Sequence, residues 1–297
     1  MITYRDKSRY IIQFFSFNLF HTNLFQIMMS LSCKNHIGRT ALGVRKPAPP
    51  AAHIVAGCGD RSGSMQSMRG APPLQFHEQM LMLADTGKKL DVPTIFTLVT
   101  FDDRTEVPFE QINLTETPTA DLPSQSEFVD HMQPRGMTSL YQSGLMTLRM
   151  LESHVEDYRR SLPSVVQKLD PNIMTSYVLL TDGEDNTSER GCKEAHVAKL
   201  KELRASGTMA IFLGANIDAG ATGMSMGFER QTSIQVTPTF NGAECALRSV
   251  SNTLQRASTG DDSQQVNILP ESDESEPPPL PWGWTPPPIT RSNCLRN

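Results

Sequence analysis

The chain has 297 residues, 38% hydrophobic and 20% charged, with a formal net charge of −5; that length suits one large domain with tails. The acidic balance, without a long run of either sign, argues against a dedicated nucleic-acid binder, which needs a basic face to displace counterions. Cys33, Cys58, Cys192, Cys245 and Cys294 are odd in number, widely spread and without a C-x-x-C pair. That pattern suits neither a disulfide scaffold nor a zinc knuckle and predicts reduced thiols in a cytoplasmic protein.

Residues 1–50 form an irregular N-terminal segment. Arg5, Lys7 and Arg9 precede an apolar stretch from Tyr10 to Leu31, the outline of a signal or anchor. Gln13, Asn18, His21, Asn23 and Gln26 interrupt it, each costly in hydrocarbon, so membrane association is not expected. An extended start, with Met28 or Met29 as the true first residue, is the plainer reading; secretion or anchoring is the alternative. Lys46-Pro47-Ala48-Pro49-Pro50 reads as a stiff linker.

Residues 51–257 alternate strand-like and helical patterns. His53 to Cys58 is an apolar run ending at Gly57 and Gly59, and residues this small are expected to weaken the end of the strand. Leu74 to Leu90 reads as a helix closing on Lys88 and Lys89, as the helix dipole prefers. TIFTLVTF, Thr94 to Phe101, is β-branched and aromatic, so a strand, with a short strand after it. Ser139 to Ser161 is a long helix with Leu140, Leu145, Leu148 and Leu151 on one side. SYVLLT (Ser176–Thr181) is a buried strand, Cys192 to Arg204 an amphipathic helix, MAIFL (Met209–Leu213) another buried strand, and Ala243 to Arg256 a closing helix. This alternation predicts an α/β fold: a doubly wound, mostly parallel central sheet with helices on both faces.

From 258 to 297 the chain is acidic and proline-rich, which predicts a disordered tail. Pro278-Pro279-Leu280-Pro281 contains P-x-x-P beside Trp282 and Trp284, a composition that SH3- or WW-type readers take up, so an intracellular scaffold recruiting partners through this tail is an alternative function.

The chemistry concentrates in three segments. Asp60-Arg61-Ser62-Gly63-Ser64-Met65 follows the first apolar run, at the carboxyl end of a strand, where open α/β sheets bind ligands. Asp60, Ser62 and Ser64 are spaced two apart, so one tight loop aims a carboxylate and two hydroxyls at a common point. Thr138 lies in Gly136-Met137-Thr138-Ser139-Leu140, at the turn that opens the long helix, and Asp182 directly follows SYVLLT. All five offer hard oxygen, which selects Mg2+, Mn2+ or Ca2+ over zinc. Glu184 and Asp185 read as solvated loop residues.

DRSGSM, GMTSL and VLLTDGEDN resemble, in order and separation, the three loops of the metal-ion-dependent adhesion site of von Willebrand factor type A domains. The resemblance covers about 200 residues. It implies that Ser62, Ser64 and Thr138 contact the ion directly, and that Asp60 and Asp182 reach it through water or switch to direct contact. FLGANIDAGATGMSMGF also resembles the fifth strand and following helix of microbial and viral members. The implied function is non-catalytic: a Mg2+ ion whose open position takes an Asp or Glu carboxylate from a protein partner. A shift of the last helix would couple binding to shape.

Other motifs carry less. Gly223-Met224-Ser225-Met226-Gly227 matches the G-x-S-x-G elbow of serine hydrolases, but no histidine follows it. Gly57-Cys58-Gly59-Asp60-Arg61-Ser62 lacks the last glycine of a dinucleotide fingerprint, and no P-loop is present. The loop from Asp182 has Lys193 where a calcium loop needs glutamate. Asn113-Leu114-Thr115 and Asn186-Thr187-Ser188 are glycosylation sequons, meaningful only on an exported chain.

Overall fold

A computed structural model describes residues 49–260; the expectations for residues 1–48 and for the tail from 261 onward lie outside the described residues. Six strands form one sheet: β1 (Ala52–Asp60), β2 (Thr94–Phe101), β3 (Thr105–Asn113), β4 (Ile173–Thr181), β5 (Met209–Ala215) and β6 (Ser233–Val236), in the order β3-β2-β1-β4-β5-β6. Every neighbouring pair is parallel except β2 and β3. The helices are α1 (Ala71–Leu90), α2 (Gln125–His131), α3 (Leu140–Ser161), α4 (Ser164–Gln167), α5 (Cys192–Ala205), α6 (Ala219–Met226) and α7 (Phe240–Ser258). Among the described residues, no helix is long and apolar enough to cross a membrane.

Side-chain alternation along each strand splits the core into two layers. Val55, Phe96, Leu98, Val178, Leu180, Ile211 and Leu213 face α1 and α7, meeting Phe76, Met80, Leu247 and Leu254. Ile54, Ala56, Cys58, Val99, Tyr177, Leu179 and Phe212 face α3, α5 and α6, meeting Leu148, Leu151, Leu200 and Met226. Burial on both faces is why the central strands read as unbroken apolar runs.

Gly57 and Gly59 do not loosen β1. Pairing continues to its last residue, Asp60 opposite Phe101. Both glycines lie on the α1 face, where a Cβ on Gly57 would sit 3.0 Å from the Phe76 ring and one on Gly59 would sit 2.6 Å from Met132 Cε. They are small because an aromatic ring and a methionine fill that space.

Helix α1 starts three residues before the expected Leu74, because Pro72 and Pro73 occupy its first turn, where a missing N–H costs nothing. Helix α7 runs through Ser258, past the expected domain edge, and that residue is buried. Its hydroxyl lies 2.8 Å from His53 Nδ1, while His53 Nε2 lies 2.9 Å from Ser176 Oγ. Burial pushes the His53 imidazole down to about 4, so it stays neutral near pH 7. Helix α2 and strand β6 were not anticipated. Helix α2 carries a capping box, Ser124 with Glu127, a signature readable in S-x-x-E.

Helices α3 and α5 meet closely at Gly144. A Cβ there would fall 2.8 Å from His196 Cδ2 and 3.0 Å from Tyr177 Oη. Helix propensity alone makes Gly→Ala favourable by roughly 0.5–1 kcal/mol, whereas overpacking costs about 1–3 kcal/mol. Gly144→Ala is therefore expected to lower stability by roughly 1 kcal/mol in urea unfolding; a raised midpoint would contradict this packing.

Candidate functional site

Strands β1 and β4 are adjacent and parallel, so their carboxyl ends lie side by side. The chain leaves β1 toward β2 on one side while β4 lies on the other, which makes this edge a topological switch point. Asp60 ends β1, and Asp182 is the first residue after β4. Both are buried.

Asp60 Oδ1 accepts the Ser62 N–H at 2.7 Å, and Oδ2 accepts the Thr181 hydroxyl at 2.6 Å. Ser62 Oγ lies 3.1 Å from Ser64 Oγ, which donates to Asp182 Oδ1 at 2.7 Å. Asp182 Oδ2 is buried and has no hydrogen-bond partner. One continuous polar chain therefore joins four of the five expected residues.

Thr138 is brought to the same edge by its backbone. Its N–H donates to Asn186 Oδ1 at 2.9 Å, and its carbonyl accepts the N–H groups of Asn186 (3.0 Å) and Thr187 (3.2 Å). Thr138 Oγ1 and Ser64 Oγ both flank Gly183, lying 3.7 and 3.8 Å from where a Cβ on that residue would sit. The first loop is tied to the Thr138 loop by Arg135 N–H to Arg61 O (2.7 Å) and Gly63 N–H to Gly136 O (3.3 Å).

Asp185 is not simply solvated. Its Oδ1 accepts the Tyr141 N–H at 3.4 Å and the Ser188 hydroxyl at 2.5 Å, and Ser188 Oγ accepts the Gln142 N–H at 3.0 Å. Ser139, the residue before α3, caps nothing with its side chain. The β4 loop therefore supplies acceptors for the open N–H groups of the helix. Glu184 is exposed, as expected.

A second feature escaped sequence reading. Arg61, buried to 2% exposure, sits between Asp60 and Ser62 in the chain. Its Nε donates to Asp102 Oδ2 at 3.1 Å and its Nη1 to Glu106 Oε2 at 2.8 Å. Arg135 reaches the same two carboxylates. The hydrogen bond from Arg61 pulls Glu106 down to about 2. Against the upward push of burial, Arg135, the Arg104 N–H and the charge of Arg61 hold Asp102 below its usual range. The signal was present as charged residues flanking two of the three loops.

The donor set comprises two carboxylates and three hydroxyls. Among the described residues, no group of three or more His, Cys, Asp or Glu side chains is arranged to hold a metal. A hard divalent ion fits the oxygen set nonetheless, because the orphaned Asp182 Oδ2 lacks a partner that such an ion would supply. Ser225 is exposed near the end of α6, with its hydroxyl donating to the Thr222 carbonyl, and does not sit at a strand-to-helix elbow.

No family model and no curated protein sequence matches the chain. Solved structures do match it. The pilus adhesin SpaC from Lactobacillus rhamnosus GG is 13% identical, with 74% of this chain and 32% of that chain covered, at a TM-score of 0.50. Proximal thread matrix protein 1 from the mussel byssus is 16% identical, with 70% of this chain and 46% of that one covered, at 0.45. The von Willebrand factor type A protein from Catenulispora acidiphila is 15% identical, with 70% and 42% covered, at 0.40. The chain thus spans less than half the length of each. At these identities the likeness is one of fold alone: a mostly parallel six-stranded sheet covered by helices on both faces.

Burial pushes the Asp60 carboxyl up from 3.8 to about 6; hydrogen bonds from Thr181 and Ser62 oppose the rise, and the charge of Asp182 adds to it. Burial raises Asp182 as well, against the Ser64 hydrogen bond. A raised carboxyl contributes stability that is complete below the unfolded value and lost as pH climbs through the folded one. In chelator, wild type is expected to lose on the order of 3 kcal/mol relative to Asp60→Asn between about pH 4 and pH 7. Matching pH dependences of the two proteins, measured by urea unfolding, would rule against a strained Asp60.

Proposed function

We propose that residues 51–257 form a non-catalytic binding module, in which Asp60, Ser62, Ser64, Thr138 and Asp182 hold one divalent cation in a metal-ion-dependent adhesion site. The observation that carries this reading is the buried, partnerless Oδ2 of Asp182. Water-excluded carboxylate oxygen of this kind is costly without a proton, a donor or a cation. A hard cation of small radius suits hydroxyl and carboxylate donors, so Mg2+ is the expected ion, with Mn2+ or Ca2+ as substitutes.

With Asp60 and Asp182 reaching the ion through water, its direct protein donors are three neutral hydroxyls, and it stays electrophilic. Magnesium keeps part of its water shell in such sites, and an Asp or Glu from a protein partner displaces one of those waters. The module then binds by electrostatic capture, with no bond made or broken. Another form of the byssus protein is described with zinc in its adhesion site; zinc therefore belongs among the ions compared, although this oxygen set favours magnesium.

Titration calorimetry decides the matter. Wild type is expected to bind Mg2+ at one site per chain, and Asp60→Ala to give no heat while unfolding as cooperatively as wild type. Equal heats for both proteins would overturn the assignment. Partner capture from cell extract is expected to be lost in chelator and restored by added Mg2+.

A further inference from the structure

We infer that Arg135 is a positioning residue for the cation site, clasping the loop that carries Thr138 onto the loop that carries Ser62 and Ser64. The inference rests on the cation reading above. Four charges alternate around a ring: Arg61, Asp102, Arg135 and Glu106. Arg61 contributes its buried guanidinium, held also by the His131 carbonyl at 3.0 Å from Nη1. Arg135 closes the ring from outside, with Nε 2.6 Å from Asp102 Oδ2 and Nη2 2.7 Å from Glu106 Oε1. It is 53% exposed, whereas Arg61 is 2% exposed.

The backbone shows what this clasp fixes. The Arg135 N–H donates to the Arg61 carbonyl at 2.7 Å, and the Ser139 N–H donates to the Asp102 carbonyl at 2.8 Å. Thr138 lies between these two anchors, and both lead to the arginine–carboxylate ring. Gly136 turns the chain between them at a φ of +67°, where a Cβ would fall 2.6 Å from Asp103 Oδ1. The Thr138 loop is thus a short tight span whose approach to the serines is set at one end by Arg135. Removing Arg135 strands no buried charge, since Arg61 still pairs with buried Asp102, and Glu106 is half-exposed.

The two ways Arg135 could act have opposite signs. By its field alone, a cationic side chain near a cation site weakens ion binding, so deleting it would tighten Mg2+. As a clasp it orients a ligand, and losing an outer partner of a metal ligand costs about 10–100-fold in affinity. Calorimetry with Mg2+ on Arg135→Met is expected to show binding at least about tenfold weaker. Arg135→Lys is expected to fall between, because an ammonium cannot bridge both carboxylates in the same fork geometry.

In a Thr138→Ala background, Arg135→Met is expected to have no further effect. Unchanged or tighter binding by Arg135→Met overturns the clasp while leaving the cation reading intact. An equal loss with and without Thr138 overturns it too. Absence of Mg2+ binding by wild type instead overturns the cation reading. If Arg135→Met does not unfold cooperatively, Arg135→Gln, which also removes the charge and the two-carboxylate bridge, is carried through the same cycle with the same expected signs.

Discussion

Two carboxylates are buried at neighbouring strand ends, and the electrostatics of that placement organise the upper edge of the sheet. Asp60 has both oxygens engaged, by a backbone N–H and a hydroxyl. Asp182 has one oxygen engaged and one without a partner. Like charges so placed raise each other's cost of ionisation, and no lysine or arginine pairs with either of them among the described ion pairs. The nearby guanidiniums of Arg61 and Arg135 are instead consumed by Asp102 and Glu106. The protein keeps a pool of negative charge unneutralised beside a ring that is fully neutralised. Such selectivity makes sense where the compensating charge comes from outside the chain.

The scaffold has to hold this arrangement against its own repulsion. Parallel pairing of β1 with both β2 and β4 fixes the height of Asp60 and Asp182, and backbone bonds among the three loops fix their lateral positions. Gly57 and Gly59 let Phe76 and Met132 pack directly against the backbone of β1 just below the site. Packed interiors transmit strain poorly tolerated elsewhere, so a tight fill under Asp60 limits its freedom to relax away from Asp182.

Much of this was legible in the sequence because it follows local rules. Thr94 to Phe101 was predicted at both ends, since β-branched and aromatic residues dominate the segment. Asp60, Ser62, Ser64, Thr138 and Asp182 stood out because short oxygen-bearing side chains cluster after strands and before a helix. What was missed depends on distance. Arg61 reads as filler between Asp60 and Ser62, and its partners lie 41 and 45 residues away in sequence. The glycines of β1 read as a weakness until the side chains occupying their space are known. Asp185 reads as solvated loop, yet together with Ser188 it caps the first turn of a helix that begins more than 40 residues earlier. Strand β6 has four residues, two of them buried, too short a run for periodicity to register.

The closing helix bears on how binding at this edge would reach the rest of the molecule. The structure sets the terms of any axial movement of α7. Helix α7 packs against α1 through an apolar face and has polar ties near its far end, Gln255 Nε2 to Thr86 Oγ1 at 3.0 Å and Ser258 Oγ to His53 Nδ1 at 2.8 Å. Axial displacement has to slide the apolar face, which is non-directional, and break those ties, which are not. His53 is fully buried, and parting it from Ser258 strands a polar ring nitrogen at a cost of about 1–3 kcal/mol. A ligand shifts an equilibrium only by its difference in affinity for the two states. Capture of a partner carboxylate by a cation held at this edge would therefore need to favour the displaced helix by roughly 5- to 150-fold merely to offset that one bond. Unless the hydroxyl of Ser258 finds His53 again in a new register, the helix is held more firmly at its base than at its apolar face.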